Sequence, residues 1–106
     1  VGDISSAIQE FVEKNGFTVL REFQGHGIGR QMHEDPGVPN HGRPGKSPKL
    51  EASITLAIKP MIIMGKERIC VLDDGWTIIT EDGSNAAHYE NTILITENEP
   101  EVLTKI

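Results

Sequence analysis

The stretch GHGIGRQMHEDPGVPNHG, residues 25–42, contains three of the four histidines of the chain, set among glycines, acids and prolines. A dinucleotide-binding phosphate loop is excluded, because Arg30 stands where the third glycine of that motif is needed. A zinc-peptidase helix with two histidines one turn apart is also excluded, because Pro36 interrupts the segment after His33. What remains is a looser arrangement centred on His26.

His26 lies between Gly25 and Gly27, which place no side-chain bulk beside its imidazole. We therefore expect that another backbone, a substrate or an ion approaches the ring closely and that nothing local shields it. The alternative is that His26 only hydrogen-bonds a loop carbonyl, since a metal site normally shows several ligands. His33 and His41 are equally compatible with solvated loop positions. The spacing alone leaves both interpretations open.

The segment before this stretch predicts a helix. Apolar residues recur at helical spacing from Ile4 through Phe11 and indicate an amphipathic helix over about residues 4–15. Asp3 is placed to cap this helix and Gly16 to end it.

Extended chain and one long loop are predicted on either side of the histidines. FTVLREF, residues 17–23, has the β-branched and aromatic content of a strand. Residues 36–49 hold four of the six prolines, so we expect a loop without regular structure. ASITLAIKPMIIM, residues 52–64, is typical of extended chain that Pro60 must interrupt after Lys59.

The last third of the chain predicts successive hairpins. Turn signals at residues 73–75 (Asp-Asp-Gly) and 82–83 (Asp-Gly) separate β-rich runs, which favours an antiparallel meander. Residues 92–96 alternate in polarity as a further strand does. The sequence thus predicts a single α+β domain over residues 1–106, with the helix packed on a mostly antiparallel sheet.

Composition limits the partners and the compartment. The chain has 106 residues, enough for one core, and its net charge of -6 argues against nucleic acid and anionic membrane surfaces as partners. Cys70 is the only cysteine, so no internal disulfide forms and a cytoplasmic location is expected. No apolar run approaches the roughly twenty residues of a membrane span.

A family resemblance extends over essentially the whole chain. The segment from residue 1 to 42, with GHGIG followed by HEDP, and then TLAIKPMI (55–62) and DDGWTIITEDGSNAAHYENTILITENEPEVLT (73–104), resembles the carboxy-terminal half of a type I methionine aminopeptidase. The resemblance implies half of a pita-bread fold, which consists of two pseudo-symmetric halves with two divalent metals between them.

The resemblance also implies roles for individual residues. His26 stands at a histidine metal ligand, and Glu90 at the glutamate that bridges both metals. His33 stands at the histidine that contacts the scissile peptide and stabilises its tetrahedral intermediate. Trp76 resembles a residue of the pocket for the substrate's Met side chain. The family uses Co, Mn, Fe or Zn to activate a bridging water and stabilise the oxyanion.

One ligand position departs from the family pattern. The motif that ends in Ile-Glu-Pro in the family is Ile58-Lys59-Pro60 here, so Lys59 replaces a carboxylate ligand. A protonated ammonium has no lone pair to donate, and placing it within about 4 Å of a divalent cation costs on the order of several kcal/mol. Smaller departures are Ser53 for Gly, Ala57 for Thr, His88 for Gln and Asn91 for His.

The family's two aspartate ligands belong to its amino-terminal half, so we expect them to lie before Val1 rather than in these residues. With His26 and Glu90 as the remaining ligands, metals are expected to bind weakly or not at all. Half of a two-layer fold would expose apolar surface. We therefore expect either the amino-terminal half or a second copy of the chain, in a homodimer, as its partner.

Two functions follow from these expectations. The first is a methionine aminopeptidase-like metallopeptidase fragment, which in its parent family removes amino-terminal Met from nascent chains and which is inactive as an isolated chain. The second is a non-catalytic binding or structural module that keeps the fold and Trp76 without the metals.

Overall fold

The computed structural model describes residues 1–45 and 48–105, which form one α-helix and ten short strands. None of the described residues forms a helix long and apolar enough to cross a membrane. The elements are α1 (Gly2–Lys14), β1 (Thr18–Val19), β2 (Gly25–Ile28), β3 (Glu34–Val38), β4 (Thr55–Ile58), β5 (Met61–Ile63), β6 (Ile69–Val71), β7 (Ile78–Thr80), β8 (Ala86–His88), β9 (Asn91–Leu94) and β10 (Glu101–Val102).

The strands form three antiparallel sheets, so the predicted α+β class is confirmed. The largest sheet has the order β10-β9-β4-β2-β3, the second has the order β1-β5-β8, and β6 pairs with β7 alone. The predicted meander is wrong beyond this hairpin, because β8 pairs with β5 instead of β7. Turn signals predict pairing between neighbours in sequence, whereas here a partner more than twenty residues away provides the hydrogen bonds.

The helix packs against one edge of the sheets and covers the core. Val1, Val38 and Leu56 are the buried centre of this core, with Ile4 and Ile58 among the residues packed on it. Helix α1 has contacts with β1 and β3. The face of the large sheet that carries Leu56 and Ile58 is therefore the helix side. The opposite face carries the residues of the candidate site.

Two details of the predicted helix are corrected. Asp3 is not the cap, because α1 begins after Val1 without a side-chain cap, and the Asp3 carboxylate instead accepts a hydrogen bond from Gly45 N–H at 2.7 Å. The apolar stripe is not fully buried, since Phe11 is 70% exposed and Ala7 is exposed as well. The sheets pack against only part of the stripe. The predicted end of the helix at Gly16 is confirmed by its φ of +83° just after the last turn.

The loop predicted over residues 36–49 begins later than expected. Strand β3 includes Pro36 to Val38 and pairs with β2. Proline is tolerated there because β3 is an edge strand, so its missing N–H removes no bond to a further strand. The described residues after Val38 are irregular up to β4, and Lys46 and Ser47 of the predicted loop lie outside the described residues.

The predicted interruption at Pro60 is confirmed, yet the pairing of the two chain segments continues across it. Before the proline, Ile58 pairs with Asn91 in the β4–β9 ladder. After it, Met61 pairs with His88 in the β5–β8 ladder. Between the two ladders, Tyr89 N–H donates to Pro60 O at 3.2 Å. The register is therefore the same on both sides, and Lys59 lies opposite Glu90.

The backbone at Ser53 shows why glycine suits this position. Ser53 has a φ of 76°, in the left-handed region that residues with a Cβ rarely adopt. The sequence resemblance placed a family glycine at the same point. The departure from glycine therefore puts a strained residue just before β4.

Asp82 closes the turn that directs the chain from β7 to β8. Its carboxylate accepts hydrogen bonds from Lys66 N–H at 2.9 Å and from Ser84 N–H at 3.0 Å. Lys66 follows β5 and Ser84 precedes β8, so this pair of hydrogen bonds, here called the Asp82 clasp, links the end of β5 to the start of β8. The hydrogen bond from Lys66, followed by those from Ser84, lowers the pKa of Asp82 from 3.8 to about 2.

We expect the Asp82 clasp to make stability depend on acid. Since the folded pKa is below the ordinary value of 3.8, the stabilising contribution is complete above 3.8 and is lost as the pH falls through about 2. Melting temperatures of the unmodified chain and Asp82→Asn should differ most above this range and converge towards pH 2. Asp73→Asn, in the neighbouring turn, should show no such convergence. A difference that stays constant with pH would contradict the prediction.

Candidate functional site

His26 lies in the middle of β2, where its Cα is paired with Gly37 of β3 and Ala57 of β4. The side chain is only 9% exposed, and Nδ1 is 2.9 Å from Gly27 O. Because a carbonyl oxygen only accepts, Nδ1 carries the proton in this contact, and in the neutral ring the lone pair is then on Nε2. The ring thus contacts a carbonyl, as in the alternative interpretation, but one in its own strand rather than in a loop, and the other nitrogen stays suited to a ligand.

The glycines beside His26 serve the neighbouring strands rather than the imidazole. A Cβ on Gly25 would lie 2.2 Å from Ala57 O, and one on Gly27 would lie 2.2 Å from Asp35 O. The absence of side chains thus lets β4 and β3 approach β2 closely. The expectation that nothing local shields the ring is wrong, because adjacent strands and a second imidazole cover it.

That second imidazole belongs to His33, which immediately precedes β3. The ring centroids of His26 and His33 are 4.0 Å apart, with the planes tilted by 39°. His33 is exposed, so its ring extends from the buried His26 towards solvent. The β2–β3 pairing produces this contact, which the sequence separation of the two histidines does not reveal. The two residues predicted to act on one substrate are therefore neighbours in space.

Glu90 and Lys59 fall on the same face of the sheet as His26. His26 pairs with Ala57, which pairs with Thr92 on its other side. Lys59 is two residues beyond Ala57, and Glu90 is two residues before Thr92. Because side chains alternate along a strand, the continued register gives all of them the same side. The fold thus groups the predicted ligand positions on the face opposite the helix.

The immediate surroundings of Glu90 and Lys59 differ. One Glu90 carboxylate oxygen lies 3.9 Å from His88 Nε2, and both side chains are about half exposed, so water weakens this contact. The backbone of Lys59 is held more firmly, since the buried Asn40 donates from Nδ2 to Lys59 O at 2.8 Å. Residue 59 is consequently fixed in position even though its side chain is partly solvated.

Trp76 lies in the turn of the β6–β7 hairpin, in a different sheet from His26. Its side chain is 79% exposed. Asp74 shapes the turn by accepting hydrogen bonds from Trp76 N–H at 3.0 Å and Thr77 N–H at 2.8 Å. The Thr77 hydroxyl also donates to this carboxylate. That bond lowers the pKa of Asp74 most, and the two backbone bonds lower it further. The role of Trp76 in a Met pocket stays a prediction.

An apolar groove of about 340 Å³ lies between the β5–β8 pair and the β6–β7 hairpin. Sequence reasoning did not identify it, although the apolar runs MIIM and TIIT that contribute to it are visible in residues 61–64 and 77–80. The groove forms only when β8 leaves the hairpin to join β5. Its lining includes Leu20, Phe23, Met61, Ile63, Ile78 and Ile79.

The side chains present fit a two-metal centre only in part. His26 Nε2 and the Glu90 carboxylate are suitable donors for a divalent ion. Lys59, at the third position on this face, is not a suitable donor, because an ammonium group offers no lone pair. Within residues 1–45 and 48–105, no three His, Cys, Asp or Glu side chains gather closely enough to hold a metal ion. The described residues therefore do not fit a complete two-metal site.

Similarity to known proteins identifies the class. Residues 1–97 match metallopeptidase family M24, and the chain belongs to this family. Its sequence is similar to those of methionine aminopeptidases. The enzyme of Clostridium perfringens is 62% identical over 104 residues, which are 98% of this chain and 42% of the relative. That of Bacillus subtilis is 45% identical over 106 residues, which are 100% of this chain and 43% of the relative.

Solved structures confirm the pita-bread fold. Methionine aminopeptidase from Thermotoga maritima superposes with a TM-score of 0.96 at 55% identity, covering 99% of this chain and 42% of that one. The enzyme from Rickettsia prowazekii gives 0.94 at 39% identity, covering 98% and 42%. The chain thus spans about two fifths of the length of these relatives.

Proposed function

We propose that this chain is the carboxy-terminal half of a methionine aminopeptidase-like metallopeptidase and has negligible peptidase activity by itself. The substrates of the parent activity would be peptides with an amino-terminal Met, as the names of the relatives imply. In this proposal His26 and Glu90 are metal ligands, His33 contacts the substrate peptide and Trp76 borders the Met pocket.

The observation that carries the proposal is the position of Lys59. It lies opposite Glu90 between two ladders of the same register, β4–β9 and β5–β8, and alternation from Ala57 gives it the face that carries His26. A cation at this point repels a divalent ion, at a cost on the order of several kcal/mol within about 4 Å. The same face therefore keeps two donors and opposes the metal that those donors would bind.

The histidine pair supports a role in contacting a peptide. His26 is oriented by its bond to Gly27 O, which fixes the tautomer and leaves Nε2 as an acceptor. His33, packed on it and open to solvent, is placed to donate a hydrogen bond to a carbonyl oxygen of a peptide on this face. When bound, divalent metals would supply an activated water in such a site.

Metal binding of Lys59→Glu tests the proposal directly. We expect the unmodified chain to bind Mn(II) or Co(II) weakly and to release no Met from a Met-Gly peptide. Removing the cation and restoring a carboxylate should raise Mn(II) affinity at least ~10-fold, measured by calorimetry. Lys105→Glu, an equal charge change at an exposed position, should leave the affinity unchanged. Robust turnover by the unmodified chain, or equal affinities for all three proteins, would contradict the proposal.

A second candidate is a non-catalytic binding module. The observation that favours it is the open apolar groove together with the exposed indole of Trp76, since apolar surface of this kind binds side chains without metal. Binding of a Met-containing peptide in the presence of EDTA, lost in Trp76→Ala, would support this module over the peptidase fragment. Binding that requires Mn(II) would exclude it.

We propose that the groove is covered by a second copy of the chain in a homodimer, the amino-terminal half being the competing partner. Large apolar residues are exposed around it, among them Val71, Ile78 and Ile79. The pseudo-symmetry implied by the resemblance allows two copies to pair isologously.

Sedimentation at micromolar concentration should then give about twice the chain mass of 11.7 kDa. Ile79→Asp should shift the mass to that of the monomer, because a buried unpaired carboxylate opposes pairing. Leu103→Asp, the same kind of change just after β10 of the large sheet, should leave the mass of the dimer unchanged. A well-folded monomer of the unmodified chain would rule out the homodimer.

Charge and cysteine content bear on the excluded partners and on the location. The net charge of -6 makes nucleic acid and anionic membranes poor partners. A single unpaired cysteine is compatible with a reducing compartment, and we propose the cytoplasm as the location.

A further inference from the structure

Lys59 and Glu90 lie opposite each other in the short gap between two ladders that have the same register. The pairs Ile58–Asn91 and Met61–His88 enclose it, and the Tyr89–Pro60 hydrogen bond of 3.2 Å lies between. Directly opposite residues of an antiparallel pair have Cβ atoms about 4.5–5.5 Å apart, and opposite charges at such positions attract. An ammonium and a carboxylate on these two backbones are therefore within reach of each other.

Both side chains reach solvent, since Lys59 is partly exposed and Glu90 is exposed. In the structure the Glu90 carboxylate is turned along its own strand, 3.9 Å from His88 Nε2. Across residues 1–45 and 48–105, Lys59 has no carboxylate within 4.0 Å in this arrangement, since the ion pairs there are Arg21–Glu67 and His88–Glu90. Lys59 is only partly exposed, so an uncompensated charge there is unfavourable.

We propose that Lys59 is the built-in counter-ion of Glu90. Its ammonium takes the electrostatic role that a divalent cation would have beside this carboxylate, and the pair links the end of β4 to the start of β9. The backbone of Lys59 is already held by Asn40, so only side-chain rotation is needed to form the contact. The inference rests on the proposed function only in treating Glu90 as a metal-ligand position.

The pair explains how this face is stable without a metal. Glu90 next to a carboxylate at position 59 would place two negative charges opposite each other, which is unfavourable unless a cation lies between them. With lysine at position 59 the same backbone positions attract. The face thereby becomes independent of metal and less accessible to it, because a metal must displace the ammonium from Glu90.

A double-mutant cycle tests the pair through melting temperatures at pH 7 and low ionic strength. We expect Lys59→Met and Glu90→Gln each to lower the melting temperature by about 2–5 °C, and the double variant to lose little more than either alone. Lys105→Met combined with Glu90→Gln should instead give additive losses. In 1 M NaCl the coupling between Lys59 and Glu90 should disappear, because the Debye length falls to about 3 Å.

The outcomes separate this inference from the proposed function. Additive losses for Lys59→Met and Glu90→Gln at low salt would overturn the pair, whatever the metal affinity. Turnover of a Met-Gly peptide would instead count against the proposed inactivity alone.

Discussion

Gly27→Ala is expected to destabilise the chain by about 3 kcal/mol or more and to disturb the position of His26. The new Cβ would lie 2.2 Å from Asp35 O and 2.8 Å from Asp35 C, both of them backbone atoms. Strand β2 lies between β3 and β4, so it cannot move away from one neighbour without approaching the other. The register irregularity between His26 and Gly27 is at the same point, so the strain falls directly on the histidine pair.

Urea unfolding followed by circular dichroism measures this loss, and NMR of the histidine rings reports the change in their contact. Gly29→Ala is the matched control, because its Cβ would meet only the flexible end of the Glu34 side chain. Its loss should be much smaller. Equal free energies of unfolding for Gly27→Ala and Gly29→Ala would contradict the close approach of β3 to β2 at Gly27.

Leu56→Ala should cost about 3–4 kcal/mol of unfolding free energy. Leu56 is 0% exposed and packs with Val1 and Val38 at the centre of the core. Truncating it removes buried apolar contacts and leaves a cavity that β4, paired on both sides, cannot close. The loss lies on the helix side of the sheet, so the contact between His26 and His33 on the other face should persist at low denaturant.

The midpoint of urea unfolding gives this value if the slope of the transition is unchanged. Leu103→Ala serves as the comparison, since this leucine is 47% exposed and its truncation should cost no more than about 1 kcal/mol. A cost below about 1 kcal/mol for Leu56→Ala would show that the core is not centred on β4.

Local sequence signals predicted the elements whose causes are local. Gly16 ends the helix because a left-handed residue is needed there, and Asp74 forms the β6–β7 turn with hydrogen bonds to residues two and three positions away. The predicted Asp3 cap was wrong, because the presence of Ser, Asp or Asn near a helix start does not specify which backbone N–H donates to its side chain. Gly45 N–H, more than forty residues away, competes successfully for that carboxylate.

Contacts between distant segments explain the other errors. Pro36 belongs to a strand because β3 happens to be the edge of the sheet, which sequence spacing does not reveal. Phe11 is exposed because the strands pack on only part of the apolar stripe. The groove beside β8 depends on the pairing of that strand with β5, a partner more than twenty residues away.

By itself the sequence determined the helix, the turns, the break at Pro60 and the family whose motifs surround His26. These features depend on backbone preferences and side-chain types within a few residues, which are written in the chain directly. Only the tertiary structure decided that His33 lies against His26 and that Lys59 lies opposite Glu90. Such neighbours come from strand register, which hydrogen bonding and burial select together over the whole sheet, and no local pattern encodes it.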